Sequence, residues 1–202
     1  MTAPLPALGG LRFAIQTFGC QMNENDSERL AGFLRAAGAS PAASVAEADL
    51  VVVNTCSVRA KSEEKLQSFL GRLRTLKKKR RLLVGVAGCV AQLRKDSLAG
   101  PKSGVDFVLG FDQYGRIAEV AAESALRRVV AVSRTRGWRE EKSVPLRESA
   151  VSGYVTIMEG CDNFCAYCVV PFTRGREKYR PLEAVLEEVR ELAAGGYREI
   201  QL

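Results

Sequence analysis

The chain has 202 residues, 47% of them hydrophobic and 26% charged, the composition of a globular protein with room for one good core and part of a second. No apolar run approaches the ~20 residues that span a bilayer. The first ten residues lack the basic start of a secretory signal, so the expectation is a cytoplasmic protein with no membrane partner, whose six cysteines stay reduced. A net charge of +7 suits a polyanion such as RNA. The densest basic run, Lys77-Lys78-Lys79-Arg80-Arg81, closes a helical pattern whose dipole it complements, so charge alone decides little.

Leu11 to Gln16 reads as a first strand, between Gly9-Gly10 and a loop rich in Gln and Asn. Asp26 or Ser27 is the expected cap of the helix that follows, with apolar residues at Leu30, Phe33 and Leu34 and a stop at Gly38. Leu50 to Val53 is a short continuous apolar run, the pattern of a strand covered on both faces of a parallel sheet. Next come a helix over Ser57–Lys79, a strand over Leu82–Ala87 and a short helix after Cys89. A strand over Val105–Leu109, a helix over Tyr114–Leu126 and an edge strand over Val129–Val132 complete the series. Strands alternating with helices make residues 1–133 an α/β domain with a largely parallel sheet. Residues 134–150, polar and basic with Gly137 and Pro145, break the rhythm and read as a linker. From 151 to 202 a new unit starts: strand Gly153–Met158, a cysteine loop, helix Pro181–Ala194, Gly195-Gly196 and a strand from Arg198 onward. This is one βαβ step, and the sequence stops inside its second strand, so the expectation is a truncated piece of a larger protein.

The run Gly160-Cys161-Asp162-Asn163-Phe164-Cys165-Ala166-Tyr167-Cys168 lets one short loop aim three thiolates at one point. Cubane iron–sulfur clusters normally take four cysteines, so a three-cysteine loop leaves one iron open to an outside ligand. A structural zinc site is the bland alternative, but such sites usually bring two Cys-x-x-Cys pairs or histidines. This chain has no histidine.

Cys20, Cys56 and Cys89 each follow the carboxyl end of an expected strand. Loops beyond those ends of an open parallel sheet converge on one crevice, where ligands bind. Three such thiols can hold a second three-thiolate cluster; the competing reading is three buried structural cysteines. Gly19 and Gly88, directly before their cysteines, allow a tight turn or the close approach of a cofactor. Asn23, Asn54 and Gln92 lie near these cysteines in sequence and can donate to cluster sulfurs or a bound sulfur species. Asn54 can equally cap the following turn. Arg59 reads as a first-turn helix residue or as a charge behind the thiols.

Met158-Glu159-Gly160-Cys161 through Cys168, continuing to Val169-Val170-Pro171-Phe172-Thr173-Arg174-Gly175-Arg176-Glu177, resembles the radical S-adenosylmethionine loop of the methylthiotransferases, above all the MiaB-type tRNA enzymes. Thr17-Phe18-Gly19-Cys20-Gln21-Met22-Asn23, Asn54-Thr55-Cys56-Ser57-Val58-Arg59 and Gly88-Cys89-Val90-Ala91-Gln92 resemble that family's amino-terminal domain, in the right order. The ribosomal-protein branch is similar in all six cysteines but typically has Pro-Lys-Asn where this chain has Gln21-Met22-Asn23.

The resemblance implies a flavodoxin-like domain, then the first βαβ unit of a partial TIM-type radical S-adenosylmethionine barrel, with most of the barrel and a terminal RNA-binding domain lacking. It implies two [4Fe-4S] clusters. One, on Cys161, Cys165 and Cys168, would bind S-adenosylmethionine and generate a 5′-deoxyadenosyl radical, with Tyr167 against the adenine. The other, on Cys20, Cys56 and Cys89, would carry the inserted sulfur. The implied reaction is methylthiolation at C2 of N6-isopentenyladenosine beside the anticodon, at position 37 of tRNA, with an external electron donor and a sulfur donor as further partners. C2 of adenine is an unactivated C–H centre, so cofactors must carry that chemistry. The chain alone is expected not to turn over.

Arg174, Arg176, Lys178 and Arg180, with Phe172 and Tyr179 among them, suit phosphate contacts and base stacking on single-stranded RNA, Arg174 foremost. A solvated loop kept soluble by pairs such as Arg176 with Glu177 explains the same residues, and Glu183, Glu187 and Glu188 read as a solvated helix face. Three rival functions stay open: a ribosomal-protein methylthiotransferase, a non-catalytic iron–sulfur carrier and a zinc-binding RNA module.

Overall fold

A computed structural model describes residues 8–139, 144–147 and 149–202. They form two units, residues 8–134 with 144–145 and residues 135–139 with 146–147 and 149–202. Residues 1–7 of the amino-terminal reading, and 140–143 and 148 of the expected linker, lie outside the described residues.

In the first unit the chain runs β1 (Arg12–Phe18), α1 (Gln21–Ala36), β2 (Ser40–Pro41), β3 (Leu50–Thr55), α2 (Ala60–Lys77) and β4 (Leu83–Ala87). It continues through α3 (Cys89–Arg94), β5 (Phe107–Leu109), α4 (Ile117–Ser124) and β6 (Val129–Ala131). The strands form one parallel sheet in the order β2-β1-β3-β4-β5-β6. The first five follow the flavodoxin-like order, in which the chain steps one way from β1 to β2 and the other way to β3. The switch point therefore lies between the carboxyl ends of β1 and β3.

The continuous apolar run of β3 is buried along its whole length, as a strand covered on both faces must be. Val51 and Val53 face Leu66, Leu70 and Leu73 of α2, which recur at helical spacing, and each buried leucine contributes about 1.5–3 kcal/mol. Phe18 meets Phe69 edge-on at 5.7 Å, which packs α2 onto β1. On α1, Leu30, Phe33 and Leu34 are buried, and the helix packs against α4.

Most expected boundaries shift by one to three residues, and three departures are larger. Helix α1 starts six residues before Asp26 or Ser27 would cap it at the earliest, because extended Cys20 takes the cap. Asp26 and Ser27 are buried within the helix, Ser27 bonding Thr17 and Asn54. Strand β2 escaped notice because it is only two residues long, and Pro41 fits there only because the strand is an edge. The first turns of the helix expected from Tyr114 are a 3₁₀ segment, Phe111–Arg116.

The second unit contains β7 (Ser152–Tyr154), β8 (Met158–Glu159), α5 (Val170–Thr173), β9 (Lys178–Tyr179), α6 (Leu182–Ala194) and β10 (Glu199–Gln201). Parallel β7 and β10 pair Gly153 with Ile200, completing the expected βαβ step over α6. Val155, Val185 and Leu192 form its small core, with Val189, Tyr197 and Ile200 against them. The single strand expected over Gly153–Met158 is two strands, since β8 turns away to pair antiparallel with β9. Glu188 is no solvated residue: it binds Arg147 at 2.5 Å and also Arg180, with the three side chains only 18%, 8% and 12% exposed.

Candidate metal centres

β1, β3 and β4 are neighbours in register, with Thr17 beside Asn54 and Asn54 beside Ala87. Cys20, Cys56 and Cys89 lie two or three residues beyond those positions, so all three stand past the carboxyl ends of adjacent strands, Cys20 and Cys56 at the switch point and Cys89 one strand further along. Adjacent strands are about 4.8 Å apart, so the three loops arise within about 10 Å of each other. Cys20 caps the 16-residue α1, whose positive end suits an anionic ligand. Cys56 and Cys89 are buried, Cys20 is half-buried, and no disulfide forms among the described residues.

The loops are tied together by polar bonds. Cys56 N–H donates to Phe18 O at 2.9 Å, and Val58 N–H reaches Cys56 Sγ at 3.4 Å. Arg59, the N-cap of α2, donates to Gly19 O at 2.8 Å and so joins the Cys56 loop to the Cys20 loop. Asn23 Oδ1 accepts from Cys20 N–H at 3.4 Å, and Cys20 Sγ lies 3.4 Å from the same oxygen. Asn23 Nδ2 donates to Asn54 Oδ1 at 3.0 Å. Asn54 Nδ2 donates to Asn23 O at 2.8 Å and Ser27 Oγ at 2.9 Å. Gln92 Nε2 donates to Val132 O at 2.9 Å, beyond the end of β6. Three glycines lie over these amides. A Cβ on Gly19 would meet Asn23 Oδ1 at 2.3 Å, one on Gly88 would meet Asn54 Oδ1 at 2.3 Å, and one on Gly110 would meet Gln92 Oε1 at 2.4 Å.

Among the described residues, no three Cys, His, Asp or Glu side chains gather in a group able to hold a metal ion. A zinc ion would need thiolates about 3.8 Å apart, from 2.3 Å bonds at tetrahedral angles. A cubane presents its irons at separate corners and takes thiolates further apart. The residues present fit such a group: three thiols and no histidine, and two buried hydroxyl oxygens flanking Cys56, Thr55 Oγ1 and Ser57 Oγ, which have no hydrogen-bond partner among the described residues. Hydroxyls so placed can donate to inorganic sulfide.

In the second unit, the β8–β9 ladder pairs Glu159 with Lys178 and closes residues 160–177 into a loop that carries Cys161, Cys165 and Cys168. Cys161 N–H donates to Gly175 O at 3.0 Å. Gly160 has φ +84°, and a Cβ there would lie 2.1 Å from Arg176 O, so only glycine lets the two ends meet. Asp162 Oδ1 accepts from Arg176 Nε at 2.9 Å and Glu177 N–H at 3.1 Å. The bond from Tyr179 OH to the Glu177 carboxylate, at 2.5 Å, pushes that phenol above its ordinary pKa. Cys168 N–H turns back to Cys165 O at 2.9 Å, and Asn163 Nδ2 donates to Cys161 Sγ at 3.4 Å. Phe164, at φ +46°, stacks edge-on with Phe172, and Arg176 lies 5.3 Å over its ring. Tyr167 stands out from the loop, 92% exposed.

The basic row after this loop is partly committed to structure. Lys178 is buried against Glu159 at 3.5 Å, Arg180 serves Glu188, and Arg176 pairs with Asp162. Arg174 is half-buried at the end of α5. Sequence reasoning missed the staple made by Gly160, Asp162 and Glu177. Its signal was present, since Gly160 precedes Cys161 as Gly19 and Gly88 precede theirs.

Residues 12–110 match the model of a family described as uncharacterized protein family UPF0004. The chain is 50% identical over 191 residues to the tRNA-2-methylthio-N(6)-dimethylallyladenosine synthase of Thermotoga petrophila, covering 94% of this chain and 43% of that protein. It is 46% identical over 191 residues to the enzyme of that name from Geobacter metallireducens, covering 93% and 43%. The Anaeromyxobacter sp. (strain K) enzyme is 44% identical over 207 residues, covering 99% and 44%. The chain thus spans less than half the length of these relatives. Among the described residues no helix is long and apolar enough to cross a membrane.

Proposed function

The chain belongs to the MiaB-type methylthiotransferase family, whose UPF0004 domain it carries at residues 12–110, and from that premise we propose that it supplies the cluster-binding segments of a tRNA methylthiotransferase. The protein of which it forms part acts on N6-isopentenyladenosine at position 37, adding a methylthio group at C2. The observation that carries this reading is that Cys20, Cys56 and Cys89 follow the carboxyl ends of three adjacent strands, while a separate closed loop holds Cys161, Cys165 and Cys168. Each triplet holds a [4Fe-4S] cluster one thiolate short. Bound clusters and S-adenosylmethionine supply the radical and sulfur chemistry that side chains cannot.

The chain's own residues hold and orient these groups. Asn163 and the Val58 amide donate to ligand sulfurs, a contact that disperses negative charge on a ligating thiolate. Tyr167 takes the adenine ring of S-adenosylmethionine, a role that its exposure supports. Arg174 contacts the RNA, with an external reductant and a sulfur donor as further partners. The names of the relatives favour tRNA over a ribosomal-protein substrate.

Anaerobically reconstituted, dithionite-reduced chain should change its electron paramagnetic resonance spectrum when S-adenosylmethionine is added. Cys161→Ala with Cys165→Ala and Cys168→Ala should abolish that response. A spectrum indifferent to S-adenosylmethionine would favour a simple electron carrier. Hypomodified tRNA incubated with the longer protein should gain the mass of a methylthio group.

A further inference from the structure

The buried side chain of Asn54 touches the loops of all three amino-terminal cysteines. It lies two residues before Cys56 and is fully buried. Its Nδ2 holds the main chain of Asn23, in the first turn after Cys20. Its Oδ1 lies 2.3 Å from where a Cβ of Gly88 would stand, directly before Cys89.

The orientation of this amide is fixed by its neighbours. The carbonyl of Asn23 can only accept, so Asn54 must turn Nδ2 toward it. The oxygen of Asn54 then faces the other way and receives Asn23 Nδ2. That in turn leaves Asn23 Oδ1 for the Cys20 amide. A direction set by one backbone carbonyl is thus relayed through two side chains to the first cysteine. Leucine at position 54 would keep the volume and lose both donors. Aspartate would set an anion against the Asn23 carbonyl, and glutamine would drive a longer arm at Gly88. Both hydrogens of Asn54 Nδ2 are engaged by Asn23 O and Ser27 Oγ, so this side chain acts on the thiols through their loops.

We propose that Asn54, working through Asn23, is the positioning residue that sets the spacing of Cys20, Cys56 and Cys89 for a cluster. The inference rests on the cluster reading above. Its test uses the chain with Cys161, Cys165 and Cys168 replaced by alanine, so that only one triplet remains, and compares Asn54→Leu, Asn23→Ala and Ser27→Ala. Each is reconstituted with iron and sulfide, challenged with a chelator and desalted. Iron per chain, the spectrum of the reduced cluster and the circular dichroism melt are then read.

Folded Asn54→Leu and Asn23→Ala should lose cluster affinity by about 10- to 100-fold, the usual cost of removing an outer partner of a metal ligand, with an altered spectrum in what iron remains. Ser27→Ala, which leaves both Asn23–Asn54 bonds in place, should keep its iron and its spectrum. Parent-like iron and spectrum in folded Asn54→Leu or Asn23→Ala overturns the inference. An equal loss in Ser27→Ala also overturns it, by showing a general cost of disturbing buried polar groups. If Asn54→Leu does not fold, Asn23→Ala decides alone, because it leaves the bonds of Asn54 to the Asn23 carbonyl and Ser27 intact. A parent that holds no iron removes the cluster reading itself, and the inference with it.

Discussion

Replacing Gly88 by alanine should unsettle the first unit more than its single methyl suggests. Gly88 sits at φ +86°, ψ −161°, a region open almost only to glycine, and forcing another residue there costs about 1–3 kcal/mol. The added Cβ would lie 2.3 Å from Asn54 Oδ1, 2.8 Å from Thr55 O and 3.0 Å from Thr55 N. Two of those atoms are backbone and the third belongs to a hydrogen-bonded amide, so none can yield freely, and overpacking adds about 1–3 kcal/mol. The sum, about 2–6 kcal/mol, corresponds to a melting point lowered by at least roughly 6 °C in a domain of this size. Circular dichroism melts of Gly88→Ala and Gly9→Ala make the comparison. Gly9 has open space around its notional Cβ, and its alanine should melt within about 2 °C of the parent. A Gly88→Ala melt equally close to the parent would refute the reasoning.

Three further outcomes follow from the charge arrangement. Glu188→Leu leaves Arg147 and Arg180 facing each other without their carboxylate; it should destabilise the second unit by about 3 kcal/mol, seen as faster proteolysis within α6. Arg176→Ala, at a pair whose arginine is 72% exposed, should cost under about 1 kcal/mol in the same assay. Asp49 has its pKa lowered, first by the bond it accepts from the Arg12 amide. A lowered carboxylate contributes stability above its unfolded pKa, about 3.9, and that contribution is lost as pH falls through the folded value. Urea midpoints between pH 6 and pH 3 should therefore fall less steeply in Asp49→Asn than in the parent.

The sheet was legible because β3 and β4 are apolar runs bounded by glycine and asparagine, a local signal that needs no tertiary context. The positions of Cys20, Cys56 and Cys89 were legible for the same reason, each lying just past a recognisable strand. The roles of Asn23 and Asn54 were not, because their partners are 31 residues apart and the direction of an amide depends on what faces it. Asp26 and Ser27 misled since their residue types favour caps, whereas here a buried bond from Ser27 to β3 places them mid-helix. Lys178 read as an RNA contact or a solvated loop residue until β8 brought Glu159 opposite it. Pairings made by two-residue strands carry no periodicity from which to infer them.

Iron and acid-labile sulfide counted after anaerobic reconstitution test the central claim most directly. The parent chain should bind about eight irons, and alanine replacement of either triplet, Cys20 with Cys56 and Cys89 or Cys161 with Cys165 and Cys168, should remove about half. One cluster's worth of iron in the parent, or zinc without sulfide, would contradict the account.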